Sequence, residues 1–363
     1  MKKCKGCGRE LQTIDPQNWG YTPKIEGNYC YRCFRIKNYN DLVVIDTSID
    51  GVKFEQQVVD LIHKQDEDDH FFYLLDIFNL NASRIPNLEK SLNPSTSTIV
   101  INKVDLLPKA VKLKKIATYL ESLFASTGLA GVKIIFFSKV NKQGIDELLK
   151  AVKKFKNNYF IGRTNVGKSS ILNSLITALD QTPSIVESPF LNTTIDLIRL
   201  EYNNITLVDT PGIIEKNSFT SLIAPSELKY LYFKKELKQV TFQIDQPQTF
   251  VYGNLFALTL KLSSPRDIHF YQNPMVNLHR TKPANLESYL NKNFITLHPG
   301  LLYQESYQQK QVVLNEKLWY QKIDVFVQEL GWVSFLLHPK DEVWYFVPAK
   351  NSNLLVETRK ALI

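Results

Sequence analysis

The sequence predicts an α/β protein: a mostly parallel sheet built around a phosphate-binding loop, preceded by a small cysteine module and followed by a mixed, β-rich domain. Three observations predict it. The stretch from Tyr159 to Leu179 reads as a short apolar strand, a Gly-containing loop and a helix with Ile171, Leu172, Leu175, Ile176 and Leu179 on one face. Between residues 41 and 215 apolar strands alternate with amphipathic helices, the pattern that winds into a parallel sheet with its ligand at the strands' C-terminal ends. From residue 216 to 363 that alternation gives way to short β-rich runs broken by Pro and polar turns.

The first 40 residues hold all four cysteines, as two knuckles, Cys4-Lys5-Gly6-Cys7 and Cys30-Tyr31-Arg32-Cys33, separated by 22 residues. Four thiolates in two C-x-x-C pairs suit one tetrahedral Zn²⁺, and a segment with so few apolar residues needs such a staple to fold. Two disulfides are the alternative pairing; the absence of an apolar signal segment after Met-Lys-Lys-Cys-Lys argues for a reducing cytoplasm and against them. The net charge of +8 is unevenly placed. Residues 1–40 carry 8 Lys/Arg against 3 Asp/Glu and residues 216–363 carry 17 against 12, whereas 41–215 carry 19 against 21. The positive flanks are therefore the parts expected to meet a polyanion such as RNA, although the same charge also serves solubility. Trp19, Tyr21, Tyr29, Tyr31 and Phe34 would line an RNA surface or form the module's own small core. The longest apolar run, Phe71 to Leu75, is far short of the ~18 residues that a spanning helix requires, so no membrane partner is expected.

The central domain is read in order. Asp66 to Asp69 forms an acidic patch expected in a solvated turn, followed by the buried strand Phe71 to Ile77. Thr98 to Ile101 is a second strand, ending in Asn102-Lys103-Val104-Asp105; the Asp105 carboxylate would accept both hydrogen bonds that guanine N1–H and its 2-amino group donate, a donor pair adenine lacks. A helix is expected over Ala110 to Phe124, then the strand Ile134 to Phe137 ending at Ser138-Lys139, then a helix from Ile145 to Phe155 with Ile145, Leu148, Leu149, Val152 and Phe155 in register.

The phosphate loop follows. Gly162, Gly167, Lys168 and Ser169 fit G-x-x-x-x-G-K-[ST], in which backbone N–H groups curl around phosphate oxygens at a helix N-terminus. Lys168 would reach the β- and γ-phosphates and Ser169 would ligate Mg²⁺, with Asn165, Val166 and Ser170 completing the cradle. Downstream, Asn192-Thr193-Thr194 offers Thr194 as a further Mg²⁺ ligand, and the strand Ile205 to Val208 ends in Asp209-Thr210-Pro211-Gly212. There Asp209 would hold Mg²⁺ through water and the Gly212 N–H would sense the γ-phosphate. The catalytic set is thus Lys168, Thr194 and Gly212.

The motifs resemble those of translation-factor-type GTPases but run in the order NKVD, SK, GRTNVGKS, TT, DTPG, which is a circular permutation. With the four N-terminal cysteines, the chain resembles the YqeH family of circularly permuted GTPases, implicated in assembly of the small ribosomal subunit. Asp76-Ile77-Phe78-Asn79 and Asn81-Ala82-Ser83 resemble that family's DIFDFNGS, with Asn79 where the pattern has Asp. Asn192 replaces a usual Gly and Lys139 a usual Ala; neither departure removes a phosphate or magnesium group. The resemblance implies a GTP-hydrolysing switch using GTP/GDP, Mg²⁺ and Zn²⁺, favoured as a monomer, binding ribosomal RNA or protein through its flanks. A scaffold that senses GTP with negligible turnover is the alternative.

Ile213 stands where many GTPases place the Gln that orients water, so slow intrinsic turnover is expected. Relatives with a hydrophobic residue there use an Asn at the position of Asn165 to bind K⁺; as a plain loop residue Asn165 would instead bond its own backbone. Permutation also turns the segment from Ile213 onward into a linker to the C-terminal domain. In that domain a helix is expected over Ser226 to Leu237 and another near Asn285 to Asn291, with short β-rich runs such as Val240–Ile244, Phe250–Leu262 and Val343–Val347. The segments Asn277 to Lys282 and Arg359 to Ile363 resemble parts of the family's C-terminal domain and read as basic strand ends able to meet phosphates. The six histidines show no ligand spacing.

Overall fold

Asp69–Asp76 is buried along its whole length, as expected of a parallel strand covered on both faces. It is one of seven strands in the first of two compact units into which the chain divides, Met1–Val104 with Ala117–Glu215 and Asp105–Ile116 with Lys216–Ile363. The computed structural model describes residues 2–4, 10–15, 20–24, 26–31, 51–109, 111–179, 184–189, 196–210, 212–213, 217–232 and 235–363.

In chain order the first part reads α1 (Gly51–His63), β1 (Asp69–Asp76), α2 (Pro86–Ser91), β2 (Ser97–Asn102), α3 (Leu113–Phe124), β3 (Lys133–Phe136), α4 (Ile145–Val152), β4 (Asn157–Gly162), α5 (Lys168–Leu179), β5 (Ser184–Pro189), β6 (Asp196–Tyr202) and β7 (Ile205–Asp209). The sheet order is β3-β2-β1-β4-β7-β6-β5. All neighbours from β3 to β7 are parallel, while β5, β6 and β7 pair antiparallel. Register alignment stacks Phe71 on Tyr159 and Phe72 on Phe160, with ring centroids 5.1 and 4.9 Å apart. Ile171, Leu172, Leu175 and Ile176 of α5 pack into one core with Phe72 and Phe160. Because five strands run parallel, their C-terminal ends, where the motifs lie, emerge along one edge of the sheet.

Asp69 departs from expectation: Asp66 and Asp68 are exposed, but Asp69 begins β1, is buried, and accepts a hydrogen bond from Asn157 Nδ2 at 2.9 Å. Burial raises its pKa, and the Asn157 bond pulls it partly back. The stretch 105–116, expected within the nucleotide domain, groups with the second unit, since Leu237 N–H donates to Leu106 O (2.8 Å) and Lys109 N–H to Glu236 Oε1 (3.2 Å).

The second unit adds α6 (Leu228–Leu231), β8 (Lys238–Ile244), β9 (Gln248–Tyr252), β10 (Phe256–Lys261), β11 (Arg266–Gln272), β12 (Leu278–Thr281), α7 (Leu286–Asn293), β13 (Tyr307–Gln311), β14 (Lys322–Val327), β15 (Gly331–Leu336), β16 (Glu342–Pro348) and β17 (Val356–Lys360). Two antiparallel five-stranded sheets, β12-β9-β10-β16-β13 and β17-β14-β15-β11-β8, enclose a core that includes Phe250, Leu258, Phe270, Val325 and Val333. One expectation fails here for a stated reason. The helix over Ser226 to Leu237 shrinks to a 3₁₀ turn and the single turn α6, because Asn273 Nδ2 takes the carbonyls of Lys229 and Tyr230 (3.0 and 2.8 Å) and Tyr232 is extended. The run Phe250–Leu262 is a hairpin, β9 and β10, closed by Leu255 N–H to Tyr252 O at 3.1 Å.

Candidate functional site

The site is built where parallel strands stop. β4 ends at Gly162, residues 163–167 form the loop, and α5 starts at Lys168, with Ser169 and Ser170 in its first turn. Asn165 (φ +63) and Gly167 (φ +92) adopt left-handed backbone, which turns the intervening amides inward. Gly167 is obligatory for a second reason. A Cβ there would lie 2.0 Å from Asn102 Nδ2.

That close approach exists because the base-reading segment is tied to the phosphate loop. Asn102, at the end of β2, is buried; its Nδ2 donates to Val166 O (2.8 Å) and its Oδ1 accepts the Lys103 N–H (2.7 Å). Lys103, itself left-handed (φ +63), donates from Nζ to Asn165 O at 2.9 Å and to Asp76 Oδ2 at 2.6 Å. Asp105 follows in the 3₁₀ turn Val104–Leu106 and is half-buried. From β3, Ser138 is buried with its N–H on Gln143 O (3.1 Å) and its Oγ accepting the Asn141 N–H (3.1 Å), which leaves Lys139 exposed on the turn. The Lys at this place is therefore no obstacle to packing.

On the other flank β7 brings Asp209 beside β4. Thr210 Oγ1 donates to Phe160 O (2.8 Å), and Ile213, buried, bridges the loop through its N–H to Gly162 O (3.1 Å) and its O from Thr164 N–H (3.0 Å). Gly212 passes so close that a Cβ would meet Thr164 Cγ2 at 2.8 Å and its Cα at 3.0 Å. The linker expected to leave at Ile213 therefore remains hydrogen-bonded to the phosphate loop through that residue. Thr194 lies outside the described residues.

Sequence reading missed a buried brace behind the loop. Arg84 grips Glu89 with two nitrogens (Nε–Oε1 3.0 Å, Nη2–Oε2 2.6 Å), Tyr73 Oη donates to Glu89 Oε1 (3.0 Å), and the Ile85 N–H donates to Tyr73 Oη (2.7 Å). Arg163 of the phosphate loop donates from Nε to Arg84 O at 3.1 Å. Burial, then the Glu89 charge, raises the Tyr73 pKa well above normal; burial works against the Arg84 charge, but bonded Glu89 holds that guanidinium protonated more firmly than usual. A single Arg before a short helix and a Glu within it, five residues on, give no sequence signal.

In the N-terminal module Cys4 and Cys30 are buried together, the Cys30 N–H donating to Cys4 Sγ at 3.1 Å, with Leu11 and Tyr29 packed against them. One cysteine from each C-x-x-C pair is thereby brought beside one from the other. Cys7 and Cys33 lie outside the described residues, and among the described residues no group of three or more His, Cys, Asp or Glu forms a metal cluster. Tyr21 and Tyr31 meet edge to face, with Tyr31 exposed, whereas Tyr29 packs on the small core of Cys4, Leu11 and Cys30. Arg359, read as a phosphate contact, is buried on Asp324 instead, Nε to Oδ2 at 3.3 Å. No helix among the described residues is long and apolar enough to cross a membrane.

The RsgA GTPase family model matches residues 89–218, which span the base-reading and phosphate-binding segments. Over 351 residues, 93% of each chain, the sequence is 31% identical to the uncharacterized protein YqeH of Bacillus subtilis. It is 22% identical to the chloroplastic/mitochondrial NO-associated protein 1 of Arabidopsis thaliana over 91% of this chain and 69% of that one. Over a shorter stretch, 40% of this chain and 41% of the relative, it is 36% identical to small ribosomal subunit biogenesis GTPase RsgA 1 of Vibrio vulnificus.

Proposed function

The chain belongs to the YqeH family of circularly permuted GTPases, and from that premise we propose that it is a slow GTP-hydrolysing switch that assists assembly of the small ribosomal subunit in the cytoplasm. The observation that carries the reading is the tie between base reader and phosphate cradle, Asn102 Nδ2 to Val166 O and Lys103 Nζ to Asn165 O. It makes one nucleotide pocket out of motifs that the permutation has placed out of order.

In this reading Asp105 takes guanine N1–H and the 2-amino group, with Asn102, Lys103, Ser138 and Lys139 shaping the base pocket. The loop amides from Asn165 to Ser170 and the Lys168 ammonium cradle the phosphates between Gly162 and Gly167. Ser169 and Asp209, with Thr194, would hold Mg²⁺, which neutralises charge on the β- and γ-phosphates. The Gly212 N–H senses the γ-phosphate. Ile213 is an apolar, buried residue where water would need orienting, so turnover is slow, and K⁺ held at Asn165 or a ribosomal partner raises it. The same residue favours the second reading, an RNA-bound scaffold that senses GTP with negligible turnover. Cys4, Cys7, Cys30 and Cys33 hold one structural Zn²⁺ that shapes the 1–40 module.

The linker supplies the output. Ile213 is bonded to the phosphate loop, and four residues on the chain is anchored in the second unit, where Glu329 accepts from Ser218 Oγ (2.5 Å) and the Phe219 N–H (2.8 Å) and Gln328 Nε2 donates to Asn217 O (3.1 Å). Hydrolysis that loosens Asp209 and Gly212 releases one end of a short tether whose other end is fixed. The domains proposed are 1–40, zinc module; 41–215, nucleotide switch; and 216–363, RNA- or ribosome-binding domain, in a monomer. The small-subunit assignment draws on the similarity to the small ribosomal subunit biogenesis GTPase of Vibrio vulnificus and on the positive flanks.

The test is sedimentation of the protein with 30S subunits in GDP, a nonhydrolysable GTP analogue or no nucleotide, at two salt concentrations. Nucleotide-dependent, salt-sensitive co-sedimentation with stimulated turnover is expected. Binding without any stimulation would favour the scaffold, and no binding in any state would sink the 30S assignment.

A further inference from the structure

We propose that Asp76 is a positioning residue for guanine recognition, holding Lys103 across the phosphate loop so that base reader and cradle move as one body. The inference rests on the guanine reading of Asn102 to Asp105 given above. Asp76 closes β1 and is the register partner of Asn102 on β2, so the two side chains emerge side by side at the same edge of the sheet. Its carboxylate divides its labour. Oδ2 accepts Lys103 Nζ at 2.6 Å, while Oδ1 accepts the Phe78 N–H at 3.0 Å and fixes the turn that leaves the strand.

Geometry makes the ion pair informative. The Asp76 side chain is 6% exposed and that of Lys103 27%, so the pair is shielded from the solvent that cancels most surface pairs. Lys103 sits in left-handed backbone, a strained state for a side chain of its size, and that state persists only where the surroundings over-determine it. Three contacts do so: Asn102 Oδ1 on the Lys103 N–H, Asn165 O on its ammonium, and Asp76 Oδ2 on the same ammonium. Asn165 O is a neutral acceptor on a loop whose own conformation must suit phosphates. Asp76 is an anionic acceptor on a buried strand end, and so it is the fixed point against which the lysine is set. The lysine stem passes Gly167 with its Cε about 4.0 Å from where a Cβ would stand, spanning the gap between the two nucleotide-binding segments.

Asp76→Asn removes the charge while keeping an oxygen for the Phe78 N–H. Isothermal titration of the full-length protein with GDP, IDP and ADP is expected to show GDP affinity lowered ~10- to 100-fold, the loss of one charge-assisted hydrogen bond. The preference for GDP over IDP, which lacks the 2-amino group, is expected to shrink as Asp105 loses its fixed backbone. A merely structural residue would lower the melting temperature of the nucleotide-free protein without changing that ratio. Ser83→Ala is the control, since Ser83 Oγ accepts the Asp76 N–H (3.2 Å) and donates to Leu80 O (2.9 Å), disturbing the same turn without touching the lysine. Unchanged GDP affinity and GDP/IDP ratio in Asp76→Asn, or an equal loss in Ser83→Ala, would overturn the inference while leaving the guanine reading intact. A wild-type protein that binds ADP as well as GDP would overturn both.

Discussion

Two sets of buried polar groups, one in each unit, sit at different places along their strands. In the first, Asp76, Asn102 and Ser138 are buried at or just beyond the C-terminal ends of β1, β2 and β3, and each bonds a turn or a neighbouring loop. In the second, Asp324 and Ser334 lie in the middle of β14 and β15, Arg359 lies one residue from the end of β17, and they bond one another across the sheet. The Asp324 carboxylate also accepts the Leu362 N–H (3.0 Å); burial raises its pKa, and Arg359, Ser334 and that amide pull it back. Asp324 and Ser334, mid-strand, find their partners within the sheet and serve the fold, while the Arg359 guanidinium lies over the rings of Phe326 and Trp332. A buried polar group at the open end of a parallel strand has a side chain left to aim, and there ligands bind. The opposite ends of the first sheet support the distinction, since His70 bonds Thr98 (2.9 Å) and stacks on Phe155, far along the strand from the motifs.

Removing one partner of the mid-strand pair should have the largest effect. Asp324→Ala leaves the Arg359 guanidinium buried without its anion, and a loss of about 3–5 kcal/mol is expected in urea unfolding monitored on the second unit. GDP affinity in folded protein should not change; if it does, strand position fails as a guide to role. At a strand end the effect is on chemistry. Lys168→Ala should cut GTP hydrolysis by ~10²- to 10³-fold in a phosphate-release assay, with little change in melting temperature. A variant that melts early yet turns over normally when folded would reverse the comparison.

His70 offers a graded test. Burial, helped by Lys133 and Lys154, lowers its pKa from 6.5 to about 4. The unfolded chain thus binds a proton that the folded one refuses, so stability present above pH ~6.5 is lost as pH falls toward 4, by about 3 kcal/mol in all. Asp69, whose pKa is raised by burial, acts in the opposite sense. The expected outcome is therefore read as the difference between wild type and His70→Phe in denaturant midpoints from pH 7 to 4; parallel curves would refute it. The smallest effect belongs to Lys261–Glu342, an exposed cross-strand pair at 2.9 Å, where Glu342→Gln should cost no more than about 1 kcal/mol.

Much of the first unit was legible because its signals are local. The apolar runs at β1, β2, β3, β4 and β7 are contiguous, and each motif is the few residues that follow a strand, so Asn102, Ser138, Gly162 and Asp209 were readable from order alone. What could not be read there were contacts made at long sequence separation. Glu89 under Tyr73 and Arg84 carries no periodic or compositional mark. The second unit was harder: β9 and β10 lie in one β-rich run whose turn the apolar pattern does not mark, and α6 stops at one turn because Asn273, more than forty residues on, competes for its carbonyls.

By itself, then, the sequence determined the motif order, the residue types expected to meet phosphate and guanine, the paired cysteine knuckles and the uneven charge, since each depends only on neighbours along the chain. The tertiary structure decided which of these act together. Only folding puts Asp76 beside Asn102, lays Lys103 over the phosphate loop and draws Arg359 away from solvent onto Asp324. Those outcomes turn on strand register and burial, and both are set by how distant apolar faces pack.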